Sequence, residues 1–184
     1  MAVQALSSAI NLFSAPAADR FWLGPNLPES EFQEELKSHI SKLSDLIRRR
    51  RTNAVQEKLR LNSSFRSLAQ AGGEPFEKAM LQLDETISQF EIFIGQDKAT
   101  IIRQQEELDT ALAGLASMSV STARLARRSL NRFVELNGEL HNEIIEFYYF
   151  LLALRAEYIP DAHDGPAFGD PTALEDYLRE QLKT

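Results

Sequence analysis

The stretch "PFEKAMLQLDETISQFEIFIGQDKATIIRQQEELDTALAGL", residues 75–115, decides the fold of this chain. Its apolar residues recur at alternating steps of four and three, which is the heptad spacing of a helix that packs against other helices. This heptad seam consists of Phe76, Met80, Leu83, Ile87, Phe90, Ile94, Asp97, Ile101, Gln104, Leu108, Ala111 and Leu115. It predicts a long, coiled-coil-like helix over 75–115 in which two seam residues, Asp97 and Gln104, are polar.

Long helices are also predicted on both sides of this stretch. Upstream, Ser30 and Gln33 form a capping-box pattern that begins a helix over 30–71, and Gly72-Gly73 ends it. The short turn implies that the two helices are antiparallel neighbours. Downstream, a turn near residues 111–122 leads to a third long helix over 122–158, although one kinked helix over 76–158 remains an alternative.

The two ends of the chain carry shorter elements. A helix over 2–13 places Val3, Leu6, Ile10 and Phe13 on one stripe, and a loop over 14–29 follows it. After Pro160 a loop over 160–171 leads to a short amphipathic helix over 172–182. No segment alternates like a strand, so we predict an all-α fold: one domain, 1–184, built as an elongated antiparallel bundle of three long coiled-coil-like helices with short N- and C-terminal helices.

Composition narrows the class of protein. The 184 residues carry a net charge of −7 and include no cysteine, which excludes disulfides and thiolate metal sites and favours a reducing cytoplasm. No apolar run approaches the roughly 18 residues that span a bilayer. A signal peptide is not expected either, because no Lys or Arg precedes Arg20.

The motifs that accompany catalysis are missing. The chain has no phosphate-binding loop, no dinucleotide-binding glycine pattern, no nucleophile elbow and no zinc-binding HExxH. The Glu-x-x-His pattern of di-metal helical bundles fails at His39, His141 and His163, and the acidic loop after Pro160 lacks the spacing of a calcium loop. We therefore expect a non-enzymatic protein with no metal and no cofactor. Binding of a small ligand in the bundle core is an alternative that the sequence does not exclude.

The run "RRRR", residues 48–51, raises the question of what four cations do inside a helix. Four consecutive residues sweep about 300° around a helix, so at least one arginine must point toward the apolar seam. Counting from the Gly72-Gly73 turn brings Arg50 or Arg51 level with Asp97, and counting from the next turn brings Glu139 or Glu143 to the same height. We predict a polar layer of Arg50, Arg51, Asp97, Glu139 and Glu143 that sets the register of the helices.

The arginines outside this layer are candidates for phosphate binding. They are Arg48 and Arg49, together with Arg124, Arg127 and Arg128 in a second basic block that extends to Arg132. Internal pairing is the favoured interpretation, and for the second block the expected partners are Glu106, Glu107 and Asp109 together with the acidic start of the helix over 30–71. Nucleic-acid binding is the alternative, weakened because no aromatic residues interleave the arginines and the pI is about 5.1.

The sequence "IIEFYYFLLAL", residues 144–154, is apolar around most of the helix circumference. Phe147, Tyr148, Phe150 and Leu151 are therefore candidate interface residues, and so is Trp22 in the N-terminal loop. We expect an interaction, scaffold or adaptor protein that acts through helix packing, with itself or with a protein partner. Membrane insertion through Val3, Leu6, Ile10 and Phe13 is disfavoured, because that helix lacks Lys and Arg.

Overall fold

The computed structural model describes residues 2–14, 29–114 and 120–159, which form four α-helices. They are α1 (Ala2–Ser14), α2 (Glu29–Ala71), α3 (Glu74–Gly114) and α4 (Val120–Tyr158). The long helices pack against one another and the described residues contain no strand, which confirms the all-α bundle. Residues 15–28, which include Trp22, and the predicted loop 160–171 and helix 172–182 lie outside the described residues.

Two glycines connect α2 to α3. Gly72 has a φ of 65° and Gly73 a φ of 71°, in the left-handed region that residues with a side chain rarely occupy. The Gly72 N–H donates to the Leu68 carbonyl at 2.8 Å, and the Gly73 carbonyl accepts from the Phe76 N–H at 3.0 Å. These bonds cap the end of α2 and the start of α3, so the chain reverses direction within two residues.

Contacts along α4 define its direction. The Tyr158 ring lies 5.7 Å from the Phe76 ring at the start of α3, while His141, earlier in α4, meets Asp97 further along α3. The two helices are therefore antiparallel. Because one continuous helix over 76–158 could not bring these residues together, that alternative is excluded.

The α4 helix runs parallel to α2. Arg51 bonds to Glu143 near the middle of both helices, and the Phe65 and Tyr158 rings lie 6.1 Å apart near their C-terminal ends. With α3 antiparallel to both, the three long helices run up, down and up.

The buried apolar side chains form two clusters along the bundle. The first, near the α2–α3 turn, draws on all four helices and contains Ala2, Ala5, Leu6, Ala9, Phe13, Ala54, Leu61, Phe65, Ala79, Met80, Leu83, Ile87, Phe90, Ile144, Phe147, Tyr148, Leu151 and Leu154. The second contains, among the side chains that the structure describes, Leu36, Leu43, Ile47, Ala126, Leu130, Phe133, Leu136 and Leu140 of α2 and α4. The half of the bundle near the turn is thus a four-helix core.

The short helix α1 completes the first cluster. Its Phe13 ring lies 5.3 Å from the Phe90 ring of α3 and 5.0 Å from the Phe147 ring of α4. The expected stripe through Val3 and Ile10 is wrong in part, since Val3 is 44% exposed. Three alanines lie on the buried face instead, and small side chains let α1 approach the bundle closely. None of the described helices has an apolar stretch that could cross a membrane.

Candidate functional site

The two hydrophobic clusters are separated by polar residues at mid-height of the bundle. Arg50 from α2, Asp97 from α3 and Glu143 from α4 are each at most 7% exposed there. Burial of charged side chains is costly unless each is compensated, so their contacts determine what this level of the bundle can do. From here on, the polar layer includes His141 in addition to the five predicted residues, Arg50, Arg51, Asp97, Glu139 and Glu143.

Arg51 joins α2 to α4 through two carboxylates. Its Nε donates to Glu143 Oε1 at 2.5 Å, and its Nη2 donates to Glu139 Oε2 at 3.3 Å. The hydrogen bond that Arg51 donates to Glu143 is the largest cause of a raised pKa at Arg51, with the negative charges of Glu143 and Glu139 adding to it. The structure thus brings together three residues of the predicted layer.

Asp97 has a partner that the sequence prediction did not include. His141 Nδ1 lies 2.7 Å from Asp97 Oδ2, the distance of a hydrogen bond between the imidazole ring and the carboxyl group. The Asp97 side chain is 4% exposed and that of His141 is 15% exposed. The height count had already placed residues 139–143 at this level, so the count alone could have suggested His141.

Arg50 is buried on the side of α2 that faces α1. Its guanidinium carbon lies 5.6 Å from the centre of the Phe13 ring, a distance at which a cation is attracted to the π face. The layer therefore touches every described helix: α1 through Phe13, α2 through Arg50 and Arg51, α3 through Asp97, and α4 through Glu143.

The arrangement pairs charged and polar side chains between helices. Arg51 bonds from α2 to two carboxylates of α4, and His141 bonds from α4 to the carboxyl group of Asp97 on α3. Within the described part of the chain, no group of three or more His, Asp or Glu side chains is placed to hold a metal ion.

The first basic block is largely paired inside the chain. Arg48 Nη2 donates to Asp45 Oδ1 at 2.7 Å on the exposed side of α2, and Arg51 belongs to the polar layer. Arg49 is exposed. Only a small part of the run "RRRR" therefore presents unneutralised charge to solvent.

The second basic block behaves differently. Arg132 bonds to Glu135 at 3.0 Å and to Glu139 at 3.3 Å, both on its own helix rather than to the expected acids of α3. These bonds raise the pKa of Arg132, with the hydrogen bond that it donates to Glu135 as the largest cause. Arg124, Arg127 and Arg128 are exposed, and none forms an ion pair with a residue that the structure describes. The expectation that Glu106, Glu107 and Asp109 neutralise this block is wrong for Arg132, because that arginine pairs with two glutamates of its own helix.

The candidate interface on α4 is mostly inside the bundle. Phe147 and Leu151 have no exposed surface, and Tyr148 is 8% exposed with its hydroxyl donating to Glu91 at 2.9 Å. Phe150 is half-buried, and Lys58 Nζ lies 5.7 Å from its ring centre. An interface through Phe147, Tyr148 and Leu151 is wrong for this fold, because helices α1 and α3 already cover them.

A surface that the sequence analysis missed lies on the opposite side of α3 from its buried seam. Eight exposed residues repeat there at alternating steps of four and three: Leu81, Glu85, Ser88, Ile92, Gly95, Ala99, Ile102 and Glu106. We call this set the outer seam. Its large members Leu81, Ile92 and Ile102 are 66%, 50% and 48% exposed. The signal was present as a second heptad in the same helix, but the stronger buried heptad obscured it.

No protein-family model matches the chain, and neither do the curated proteins or the solved structures with which it was compared.

Proposed function

We propose that this chain is a non-enzymatic interaction protein that acts through helix packing, either with itself or with a helical partner. The observation that supports the proposal is the outer seam, an exposed heptad repeat on a helix whose other face is already buried. Heptad spacing is the pattern by which two helices bury a shared face. The cysteine-free composition favours the cytoplasm as the place of action.

Residues 81–106 extend for about 37 Å along α3, at about 1.5 Å per residue. Isolated exposed apolar residues are ordinary on a protein surface, but an aligned row of them is typical of a binding surface. The row lacks large polar side chains between Ser88 and Ala99, so a second helix could approach closely there. A helix packed along this row would bury Leu81, Ile92 and Ile102 together.

The experiment is a measurement of mass in solution over a concentration series, by analytical ultracentrifugation. The test variant carries Leu81→Gln, Ile92→Gln and Ile102→Gln, and we expect the association constant to fall by more than about tenfold because apolar burial is lost. The matched control carries Val55→Gln and Leu59→Gln, two residues of α2 that are 58% and 66% exposed. Equal association of all three proteins would contradict a role for this face.

A second candidate function is binding of phosphate groups or nucleic acid. Arg124, Arg127 and Arg128 are exposed residues of α4 that lie within about one helical turn of one another. None of them forms an ion pair with a described residue. Clustered cations of this kind bind polyanions by releasing counterions, so the affinity must fall steeply with salt. We expect the double variant Arg124→Gln, Arg128→Gln to lower any retention on RNA or DNA. The control is the double variant Arg48→Gln, Arg60→Gln, which changes two arginines that already form ion pairs and should leave retention nearly unchanged.

A further inference from the structure

We propose that the partner of the outer seam is a second copy of this chain, packed antiparallel with a two-fold axis between Ile92 and Gly95. This inference rests on the proposed function and adds the identity and orientation of the partner. In the dimer, Ile92 of each copy faces Gly95 of the other, and Ser88 of each copy faces Ala99 of the other.

Gly95 is the first observation that carries the inference. It lies inside α3, where glycine stabilises a helix less than alanine does. A Cβ atom added to Gly95 would meet nothing within 4 Å, so the packing of the chain itself does not require a glycine there. A gap next to an exposed isoleucine is the shape into which the same isoleucine of a second copy fits.

The charges beside the outer seam are the second observation. Glu91 and Lys98 border it on the same side, seven residues apart. In the antiparallel arrangement centred between Ile92 and Gly95, Glu91 of each copy lies opposite Lys98 of the other, so two attractive pairs form. The bond from Tyr148 uses Glu91 Oε1, which leaves Oε2 to accept from the lysine.

The same charges disfavour the other arrangements of two copies. A parallel pair brings Lys98 next to Arg103 of the second copy on both sides of the contact. Shifting the antiparallel pair by one heptad in either direction places Glu91 opposite Glu91, or Lys98 opposite Lys98. Only the register that pairs Ile92 with Gly95 joins opposite charges without such a repulsion, and like charges in contact oppose binding strongly.

Cysteine cross-linking tests the orientation, because the chain has no cysteine of its own. Ser88→Cys and Ala99→Cys are made as two separate full-length variants and oxidised alone and as an equimolar mixture. We expect a disulfide-linked dimer from the mixture and little from either variant alone, because a disulfide forms only where Cα atoms lie within about 7 Å. Cross-linking of Ser88→Cys with itself would show a parallel dimer and overturn the proposal.

Sedimentation tests the contact without cysteines. Ile92→Glu should weaken dimerisation by roughly a hundredfold, since it brings a charge to the two-fold axis. Leu59→Glu changes an exposed residue of α2 outside the outer seam. This variant is the matched control and should dimerise like the natural chain. Glu91→Lys and Lys98→Glu should each weaken the dimer, and the variant that carries both should recover most of the loss.

The outcomes separate the inference from the proposed function. A chain that stays monomeric over the whole concentration series overturns this inference, and the proposed function then depends on a different partner binding the outer seam. The inference is also overturned if the Ile92→Glu variant dimerises normally and the mixture of Ser88→Cys and Ala99→Cys gives no cross-link. The chain would then associate through a surface other than the outer seam, which is still consistent with the proposed function.

Discussion

His141 Nδ1 lies 2.7 Å from Asp97 Oδ2, and this contact joins α3 to α4 at the level where the hydrophobic core is interrupted. Both groups are largely shielded from solvent, so this bond satisfies hydrogen-bonding capacity that water does not reach. A buried pair of this kind adds little net stability but makes the loss of one partner costly.

We expect Asp97→Leu to lower the free energy of unfolding by about 1–3 kcal/mol, because it leaves the imidazole of His141 without its carboxylate. Adding His141→Leu should recover part of the loss, since two apolar side chains can replace a buried polar pair. Urea unfolding at one fixed protein concentration measures both. The control is Asp84→Asn, which removes the negative charge from the half-exposed pair with Arg155 and should cost less than about 1 kcal/mol.

The Arg51 side chain holds a buried carboxylate on another helix. Arg51→Gln leaves Glu143, 7% exposed, without the guanidinium that neutralises it. We expect a loss of roughly 1–3 kcal/mol in the free energy of unfolding, limited because the arginine itself is half-exposed and screened by solvent. Arg48→Gln removes a neighbouring pair that is exposed on both sides and should change stability by no more than about 0.5 kcal/mol. Equal losses in the two variants would show that Glu143 is accessible to water.

Sequence periodicity specified the heights of these residues but not the rotation of each helix. The count from the predicted turn between the second and third long helices placed Asp97 level with residues 139–143. His141 and Glu143 are two residues apart and so point about 200° away from each other, one toward α3 and the other toward α2. Choosing between them requires the orientation of α4, which its wide apolar stripe leaves undetermined.

The periodicity of the sequence also does not predict where α1 packs. The pattern predicts a helix over 2–13, but nothing in it says that Phe13 inserts between Phe90 and Phe147. That docking covers the aromatic face of α4 and removes it as an interface. A short amphipathic helix can pack in any groove of suitable width, so only the assembled bundle decides where it lies.

The stability of the protein should depend on pH through His39. Burial is the largest cause of a pKa below the ordinary histidine value of 6.5 at this residue, partly opposed by the negative charge of Glu35. The unfolded chain therefore binds a proton at a higher pH than the folded chain does, and stability falls as the pH decreases below about 6.5. We expect urea unfolding between pH 8 and pH 5 to show a smaller decrease in His39→Gln than in the natural chain. A decrease of the same size in both would assign the effect to other groups.

Gly95→Ala should act in opposite directions on folding and on association. Alanine favours the helix over glycine by about 1 kcal/mol, and the added methyl group meets no atom within 4 Å in the folded chain, so the free energy of unfolding of the monomer should rise by about that amount. The same methyl group occupies the space into which Ile92 of a second copy packs, so the dimer should weaken. Gly138→Ala on α4 is the matched control, since an added Cβ there also meets nothing within 4 Å and the residue lies outside the outer seam. Urea unfolding of dilute protein and sedimentation over a concentration series measure the two effects separately. If Gly95→Ala and Gly138→Ala stabilise the fold alike and only the first weakens association, the glycine at position 95 serves contact between copies rather than folding.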